Sequence, residues 1–468
     1  MLRLTTRRVV SGSALALIAG LVPGLTTSAA NAEPAGTLTV VGTSDVWDSN
    51  LMQAVVIPGF EKWYAKHRGA PITVNYIHTG TGQAITTAES DQASGLLVHA
   101  ASLENQFVQQ GYSLEKYGRA VFWGDFVLLG PASDPAKVMN SKSHEDIVRA
   151  FQKIAAAGAA DKAEFVSRGG NPGTTIAEHN IWSMTTGVPT CTVDATDGGG
   201  AAPVNDGSDG TACPLLSSGT PIDYPAWYHA TGDTQAANIE AADSCNFNHP
   251  GTSDCYVFTD RGTYDYLASQ AGALTNLGLA VNDNDKAPKA QRNLLVNSFH
   301  LYAINPAAFP SDTFGIRTGA MKDLLNWVTS AHGQALVEGY LQKNGDEPFR
   351  PDARPALTAT PLPKKVAAHH KVTVKGSLTN VVPGTPALNG VKVWVQARHH
   401  GTWVSVKRGK TNGKGRFSIA FAPSFRSAKY RLVTPKRIVK VENSTLKPKF
   451  GDILQQAMLP IGKVKVRR

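Results

Sequence analysis

Phe165-Val-Ser-Arg-Gly-Gly-Asn-Pro-Gly-Thr-Thr-Ile-Ala-Glu-His-Asn-Ile-Trp182 breaks a short apolar run into three glycines and a proline before a helix-like pattern begins. The stretch reads as strand, tight loop and helix. Thr175 and Glu178 stand at capping-box spacing, at which each side chain can satisfy a backbone N–H at the helix entrance. Free N–H groups, the positive end of the helix dipole, the hydroxyls of Ser167, Thr174 and Thr175 and the cation of Arg168 would then converge on one small volume that suits an anion. The competing reading is a glycine-rich connection whose arginine pairs with a surface carboxylate. His179, early in the helix, is expected at the surface.

Upstream, the chain opens with Arg3, Arg7 and Arg8, an apolar run from Ala14 to Val22, and Ala30-Asn31-Ala32, the small-x-small pattern of a cleavage site. Residues 1–32 therefore read as a signal peptide, with the mature chain starting near Glu33. Thr6-Arg7-Arg8-Val9-Val10 weakly resembles a twin-arginine export signal. No cysteine follows the apolar run for lipid attachment, and no later run approaches the roughly 20 apolar residues that span a bilayer. An exported protein, extracellular or held at the cell surface, is expected.

Charge divides what remains. Residues 33–360 hold 20 Lys+Arg against 34 Asp+Glu, a net of −14, whereas residues 361–468 hold 23 against 2, a net of +21. The seam falls in Pro351-Asp-Ala-Arg-Pro-Ala-Leu-Thr-Ala-Thr-Pro-Leu-Pro363. This proline-punctuated stretch reads as a semi-rigid linker, 351–370, between a two-lobed domain at 33–350 and a basic domain at 371–468.

The larger segment alternates apolar strands with helical patterns: Thr37 to Val41, then Leu51 to Lys66, then Ile72 to Ile77. That argues for α/β units on a sheet. Thr43 and Ser44 follow the first strand, Thr79-Gly80-Thr81-Gly82-Gln83 the second, and Ser167-Arg168-Gly169-Gly170 a later one. Ligands of open α/β sheets bind beyond the carboxyl ends of the strands. Three loops of one chemistry point to one site.

In order and spacing, Thr79-Gly-Thr-Gly-Gln-Ala84, Leu97-Val-His-Ala100, Gly124-Asp-Phe-Val127, Ser167-Arg-Gly169 with Gly173-Thr174, and Thr259-Asp-Arg-Gly-Thr-Tyr264 resemble the tungstate-binding extracellular solute receptors of ABC transporters. The resemblance runs from about Thr37 to Pro306. It implies an α/β, type II periplasmic-binding-protein-like domain, its lobes joined by crossing strands near Ala120 to Leu129 and Leu295 to Ile304. An oxyanion would sit in the cleft, and a transporter permease would be the partner. Carried over residue by residue, Thr43, Ser44, Thr79, Gly80, Thr81 and Gly82 form the first-lobe side of the site, and Ser167, Arg168, Gly169 and Thr174 the second. Asp45, Val46 and Trp47 depart from the family's tighter threonine-rich turn, and a carboxylate there would repel an anion.

Arg261 is either a second anion contact or a turn-stabilising partner of Asp260 or Asp265. His99 reads as a hydrogen-bonded cleft-wall residue, and Asp125 as a buried, satisfied carboxylate. No G-x-S-x-G elbow, paired carboxylates or metal-ligand cluster points to an enzyme, and no nucleotide loop or cofactor motif is present. The paired histidines 369–370 and 399–400 read as solvated turn residues. The four cysteines, Cys191, Cys213, Cys245 and Cys255, fall in a Gly/Ser/Asp-rich stretch, about 188–256, that looks inserted relative to the family. In an exported chain they read as disulfides; the sequential pairing, Cys191 to Cys213 and Cys245 to Cys255, closes the shortest of three possible sets of loops. A zinc site is the alternative, but it lacks the C-x-x-C knuckle.

From residue 371 the period becomes two: Val372 and Val374, Val391, Val393 and Val395, Phe417, Ile419 and Phe421, Tyr430 and Leu432, with turns at His399-His400-Gly401 and Asn412-Gly413. This predicts a small all-β sandwich, and Gly401 through Phe417 is similar to immunoglobulin-like modules of bacterial surface proteins. A net of +21 exceeds what solubility asks for. Anionic wall polymers or a membrane surface, rather than nucleic acid, are the expected partners. The reading as a whole is an oxyanion receptor retained at the surface. Its rival is a surface attachment protein whose receptor lobe has lost its ligand.

Overall fold

The computed structural model describes residues 36–139, 142–193, 200–205, 222–247, 254–341, 347–382, 387–440 and 451–467. The leader read at 1–32 and Cys213 lie outside them. The apolar runs become strands β1 (Gly36–Thr43), β2 (Ile72–Thr79), β3 (Gly95–Val98), β4 (Arg119–Pro131), β5 (Glu164–Ser167), β6 (Tyr228–Ala230), β7 (Cys255–Asp260), β8 (Leu277–Val281) and β9 (Val296–Ala303), of which β1, β2, β5 and β7 close on Thr, Ser or Asp. They lie in the order β2-β1-β3-β9-β4-β7-β5-β6, with β8 on the flank of β4. β1 runs parallel to β2 and β3, and β5 parallel to β6 and β7. In each lobe, the carboxyl ends of parallel strands therefore emerge together.

Between the lobes, β4 carries the load. Its first half pairs antiparallel with β9 and its second half with β7 and β8. These are the crossing strands expected from the sequence, and they separate two cores. One packs Leu38, Val40, Phe122, Phe299 and Leu325; the other packs Phe151, Phe165, Trp182 and Phe258. In the second, the Phe151 and Trp182 rings lie 4.5 Å apart, an arrangement that adds about 0.5–1.5 kcal/mol beyond area burial.

The helices that matter for the site each follow a strand: α1 (Asp45–Asp48), α2 (Thr81–Glu89), α3 (Gly173–Trp182), α4 (Gln235–Ser244) and α5 (Arg261–Ser269). The capping box does not form. α3 enters three residues earlier, behind Pro172, whose ring presets the backbone at the entrance. Thr175 instead donates its hydroxyl to the Gly169 carbonyl at 3.0 Å. Glu178 turns inward and accepts from Ser167 Oγ (2.8 Å), Trp182 Nε1 (3.1 Å) and Tyr228 Oη (2.7 Å). His179 is only 6 % exposed, against the surface position expected for it.

The supposed insertion is also smaller than composition suggested. β6 and α4 lie inside 188–256 yet belong to the sheet and core of the second lobe, with Tyr228 and Ile239 buried. Polar composition disguised them, because a three-residue strand and a helix of Ala, Asn and Gln have little apolar signal. Cys245 and Cys255 form a disulfide joining the end of α4 to the start of β7. Cys191 is likewise disulfide-bonded.

The proline-rich stretch is not a free linker. β10 (Arg350–Pro351) pairs with β4, opposite Trp123 and Phe122. β11 (Ala356–Ala359) and β12 (Lys365–Ala367) are edge strands, the place where a sheet tolerates flanking prolines. With β13 (Val372–Thr379), β14 (Lys392–His399), β15 (Thr402–Lys410), β16 (Arg416–Phe421), β17 (Ser427–Val433) and β18 (Met458–Arg467) they make two sheets, β11-β13-β16 and β12-β18-β17-β14-β15. The alternating residues of the sequence pattern, from Val372 to Leu432, are all buried, and most of them form the shared core. One end of this region packs on the two-lobed domain: Ile453 N donates to Gly118 O (2.9 Å), Gln455 N donates to Ala353 O (2.8 Å), and Ala120 is enclosed by Leu378, Leu388, Val391 and Leu454.

Two stability predictions follow from the second lobe. Replacing Cys245 and Cys255 together by alanine lowers stability by about 3 kcal/mol, the chain-entropy figure for a loop near this length, measured by urea denaturation against the parent. The second concerns pH. Burial raises Glu178 from 4.5 to about 7 despite its three donors, and lowers His179 from 6.5 to about 4. Between pH 4.5 and 7 the native state holds Glu178's proton and the unfolded state releases it, so this group costs stability as pH rises. Between pH 4 and 6.5 the unfolded chain protonates His179 and the native one does not, so that group gains stability as pH rises. The slopes oppose, and Glu178→Gln unmasks the histidine. At about 1.4 kcal/mol per pK unit, the variant gains on the order of 3 kcal/mol relative to the parent from pH 4.5 to 7. A parent-to-variant difference independent of pH refutes the raised carboxyl.

Candidate anion-binding site

Five strand-to-helix loops meet between the lobes, and Arg168 stands at their centre. It is 6 % exposed. Its Nη2 donates across the cleft to Ser44 Oγ at 2.6 Å, its Nη1 to Gln235 Oε1 at 3.3 Å, and its Nε to the Asp233 carbonyl at 3.1 Å. The turn that delivers it needs Gly169 and Gly170, whose φ of +68° and +63° side-chain-bearing residues rarely adopt. Thr174, in the first turn of α3, donates its hydroxyl to the same Gln235 oxygen at 2.9 Å, and Gln235 Nε2 donates to Thr259 Oγ1 at 2.6 Å.

From the first lobe, Thr43 ends β1, Ser44 leads into α1, and both are buried. Ser44 N donates to Thr79 O (3.0 Å), which ties the first two loops together. The Thr79–Gly82 loop then reaches across: Gly173 N donates to Thr81 Oγ1 (3.1 Å), and Gly82 N donates to Asn171 O (3.4 Å). A Cβ at Gly82 would lie 2.8 Å from the Asn171 side-chain amide, so any larger residue here would push that amide aside. The structure thus brings together Thr43, Ser44, Thr79, Gly80, Thr81, Gly82, Arg168, Gly169 and Thr174. Ser167 braces the site from behind, its hydroxyl donating to Glu178 and accepting from Gly169 N. Arg261 faces elsewhere: its guanidinium pairs with Asp125 at 2.8 and 2.5 Å and with the Asn282 carbonyl. A carboxylate partner is therefore on β4, far from Arg261 in sequence.

Carboxylates crowd the same volume. Asp45 is 1 % exposed, with Oδ2 lying 3.0 Å from His99 Nε2 and Oδ1 accepting from Val46 N. Burial alone would raise its pKa, but the His99 ring, the Thr43 hydroxyl and the Arg168 charge together hold it below the ordinary value. Burial raises Asp48, although the N-terminus of α4 donates to it from Ala236 N at 3.2 Å. Asp260, which caps α5 through Thr263 N, is pushed well up by burial and by the charge of Asp45. Burial lowers Arg168 while Asp45, Asp48 and Asp260 oppose that shift. His99 fills the wall as expected, its ring 4.8 Å from that of Phe299.

Gln235 and Asp48 were missed in the sequence. A signal existed for Gln235: Thr231-Gly232-Asp233-Thr234 is another loop of small hydroxyl residues before a helix, and Thr234 caps α4 through Ala237 N. It lay hidden in the stretch taken for an insertion. Arg168→Ala is expected to weaken oxyanion binding tenfold to a hundredfold, the loss of one or two charge-assisted hydrogen bonds of about 1.5–3 kcal/mol each. Gln235→Ala should cost less. Titration calorimetry with molybdate checks both, with circular dichroism to verify the fold; unchanged affinity in Arg168→Ala removes this residue from the site.

Comparison with known proteins agrees with this architecture. Residues 27–332 match the PBP superfamily domain. A putative ABC transporter anion-binding protein of Haloferax volcanii is 30% identical over 316 residues, 68% of this chain and 72% of that protein. The tungstate-binding protein TupA of Peptoclostridium acidaminophilum is 26% identical over 319 residues, 68% of this chain and 86% of its own. Among solved structures, the tungstate-binding protein TupA of Desulfovibrio alaskensis G20 is 26% identical, with a TM-score of 0.45 and coverage of 68% of this chain and 99% of that one. Because the family match takes in both lobes and the hinge strands between them, the chain belongs to the PBP superfamily of solute-binding proteins.

Proposed function

We propose that this chain is an exported solute-binding receptor whose cleft takes a tetrahedral oxyanion of the tungstate or molybdate kind for an ABC transporter. We further propose that its basic C-terminal region, an immunoglobulin-like sandwich, holds it at the cell surface. The observation that carries the ligand reading is the buried guanidinium of Arg168, fixed among the hydroxyls of Ser44 and Thr174 and the amide of Gln235. Arginine stays charged in a buried setting and presents forked donors to oxyanions. Two relatives are named for binding an anion and tungstate, which favours the same class.

Asp45 supports a second reading. A carboxylate held in its ionised form accepts hydrogen bonds and offers none. Tungstate, molybdate and sulfate, fully deprotonated at neutral pH, would meet it as like charges, whereas hydrogen phosphate can donate its proton to it. A thermal-shift screen of the full mature chain with molybdate, tungstate, sulfate, phosphate and glucose separates these readings, since a ligand of the native state raises stability by RT ln(1 + [L]/Kd). The first reading expects molybdate and tungstate to raise Tm by several degrees. The second expects phosphate to do so, with Asp45→Asn shifting preference toward molybdate. If no oxyanion moves Tm, the cleft is degenerate and a non-transport surface attachment protein becomes the better description.

A further inference from the structure

The two faces of the C-terminal region differ sharply in charge. On the five strands β12-β18-β17-β14-β15, Val366, Val393, Val395, Ala428, Tyr430 and Val464 point into the core. By alternation, the residues between them point out. Ladder register then sets cations side by side: Lys365 opposite Lys465, Lys463 opposite Lys429, and Lys392 opposite Lys410, with Arg398 opposite Trp403 on the same face. Arg408, across from Trp394, continues the set. No Asp or Glu occurs in any of the five strands. The outer face of the smaller sheet carries only Lys375 and Arg416 among its strand residues.

The geometry points to the outer face of the five-stranded sheet as the binding surface for a linear phosphodiester polymer of the cell envelope. The inference rests on the surface-retention reading and gives it a location and a partner chemistry. Neighbouring strands lie about 4.8 Å apart and alternate residues about 7 Å apart along a strand. The cations thus form a regularly spaced lattice along which a chain of repeating monoanions can lie. Arginine forks match phosphate oxygens, and lysines add point charge.

The aromatic residues argue against two other occupants. A membrane-surface element uses exposed apolar side chains as wedges beside its cations, and a single-stranded nucleic acid stacks its bases on open aromatic rings. Trp403 offers neither, because the Arg431 guanidinium covers its ring at 4.2 Å. Trp394 is half-buried. Met458, the most exposed large hydrophobic side chain among the described residues, lines the cavity of about 360 Å³ shared with Trp123 of the receptor.

The test uses the full mature chain, lipid-free poly(glycerol phosphate) as probe, and two variants that lose equal charge. One is Lys429→Gln/Lys463→Gln/Lys465→Gln on the proposed face, the other Lys375→Gln/Lys414→Gln/Arg416→Gln on and beside the smaller sheet. The parent should bind the polymer with an affinity that falls as salt rises, through counterion release. The first variant should lose at least tenfold and shed roughly two to three from the slope of log affinity against log salt, while the second stays within about twofold. Equal losses in both variants overturn the face assignment. Tighter binding to phosphatidylglycerol vesicles, a single-stranded oligonucleotide or polyglutamate overturns the partner chemistry. Retention itself is read separately on cell envelopes at low salt: if the parent washes off, the retention reading fails. If it stays but the two variants behave alike, retention stands and only this inference falls.

Discussion

A single strand, Arg119–Pro131, is the constraint on which the rest of the molecule is arranged. Its backbone groups are divided among the first lobe, the second lobe and the short strand Arg350–Pro351. A buried strand must pair its N–H and C=O groups along its whole length, so the positions of three chain segments are set by one ladder. Val121 and Phe122 supply apolar surface to the first core, Ala120 to the contact with the C-terminal region, and Phe126 and Leu128 to the second core. Asp125, between them, is neutralised by Arg261 reaching from the second lobe. That ion pair sits at the point where the ladder changes partners.

Around the cleft, the chain accepts an electrostatic cost to keep Arg168 buried. One guanidinium stands among Asp45, Asp48 and Asp260, and burial drives the latter two carboxyls upward while Asp45 is held down by His99 and its neighbours. A buried cation is tolerated when its donors are satisfied and opposite charge is close. Here a serine, a glutamine and a carbonyl satisfy the fork, and the carboxylates supply the field. The result is a site whose net charge depends on which carboxyls hold protons. Under the proposed oxyanion-receptor reading, ligand choice is tied to proton occupancy as well as to hydroxyl geometry.

How much of this was legible depended on how strongly each segment announced its period. β1, β2 and the crossing strands could be read because Val, Ile, Leu and Phe runs end abruptly in Thr, Ser or Gly. The C-terminal strands could be read because alternation survives in Val391-Val393-Val395 and Phe417-Ile419-Phe421. β6 and α4 could not, since three strand residues and a polar helix in a glycine-rich setting carry no periodic signal, and with them went Gln235. The partner of Arg261 was also out of reach. Asp125 lies 136 residues away, and only the fold makes them neighbours. The prolines after residue 350 misled for a physical reason: proline suits edge strands and connections equally, and composition does not tell the two apart.

The docking of the C-terminal region onto Glu115, Gly118 and Ala120 has a mechanical side. Lys436 reaches Glu115 (3.7 Å), Glu115 holds Arg119, and Arg119 holds Asn326, so the contact is braced deep into the first lobe. Tension on the C-terminal sheets passes into that lobe through short hydrogen bonds loaded side by side. The jaw that carries Arg168 stands beyond the hinge, one step removed from this line of force. A pull on the C-terminal sheets would therefore be taken up first by the lobe that carries Ser44, and would reach the jaw that carries Arg168 only through β4 and the bonds across the cleft.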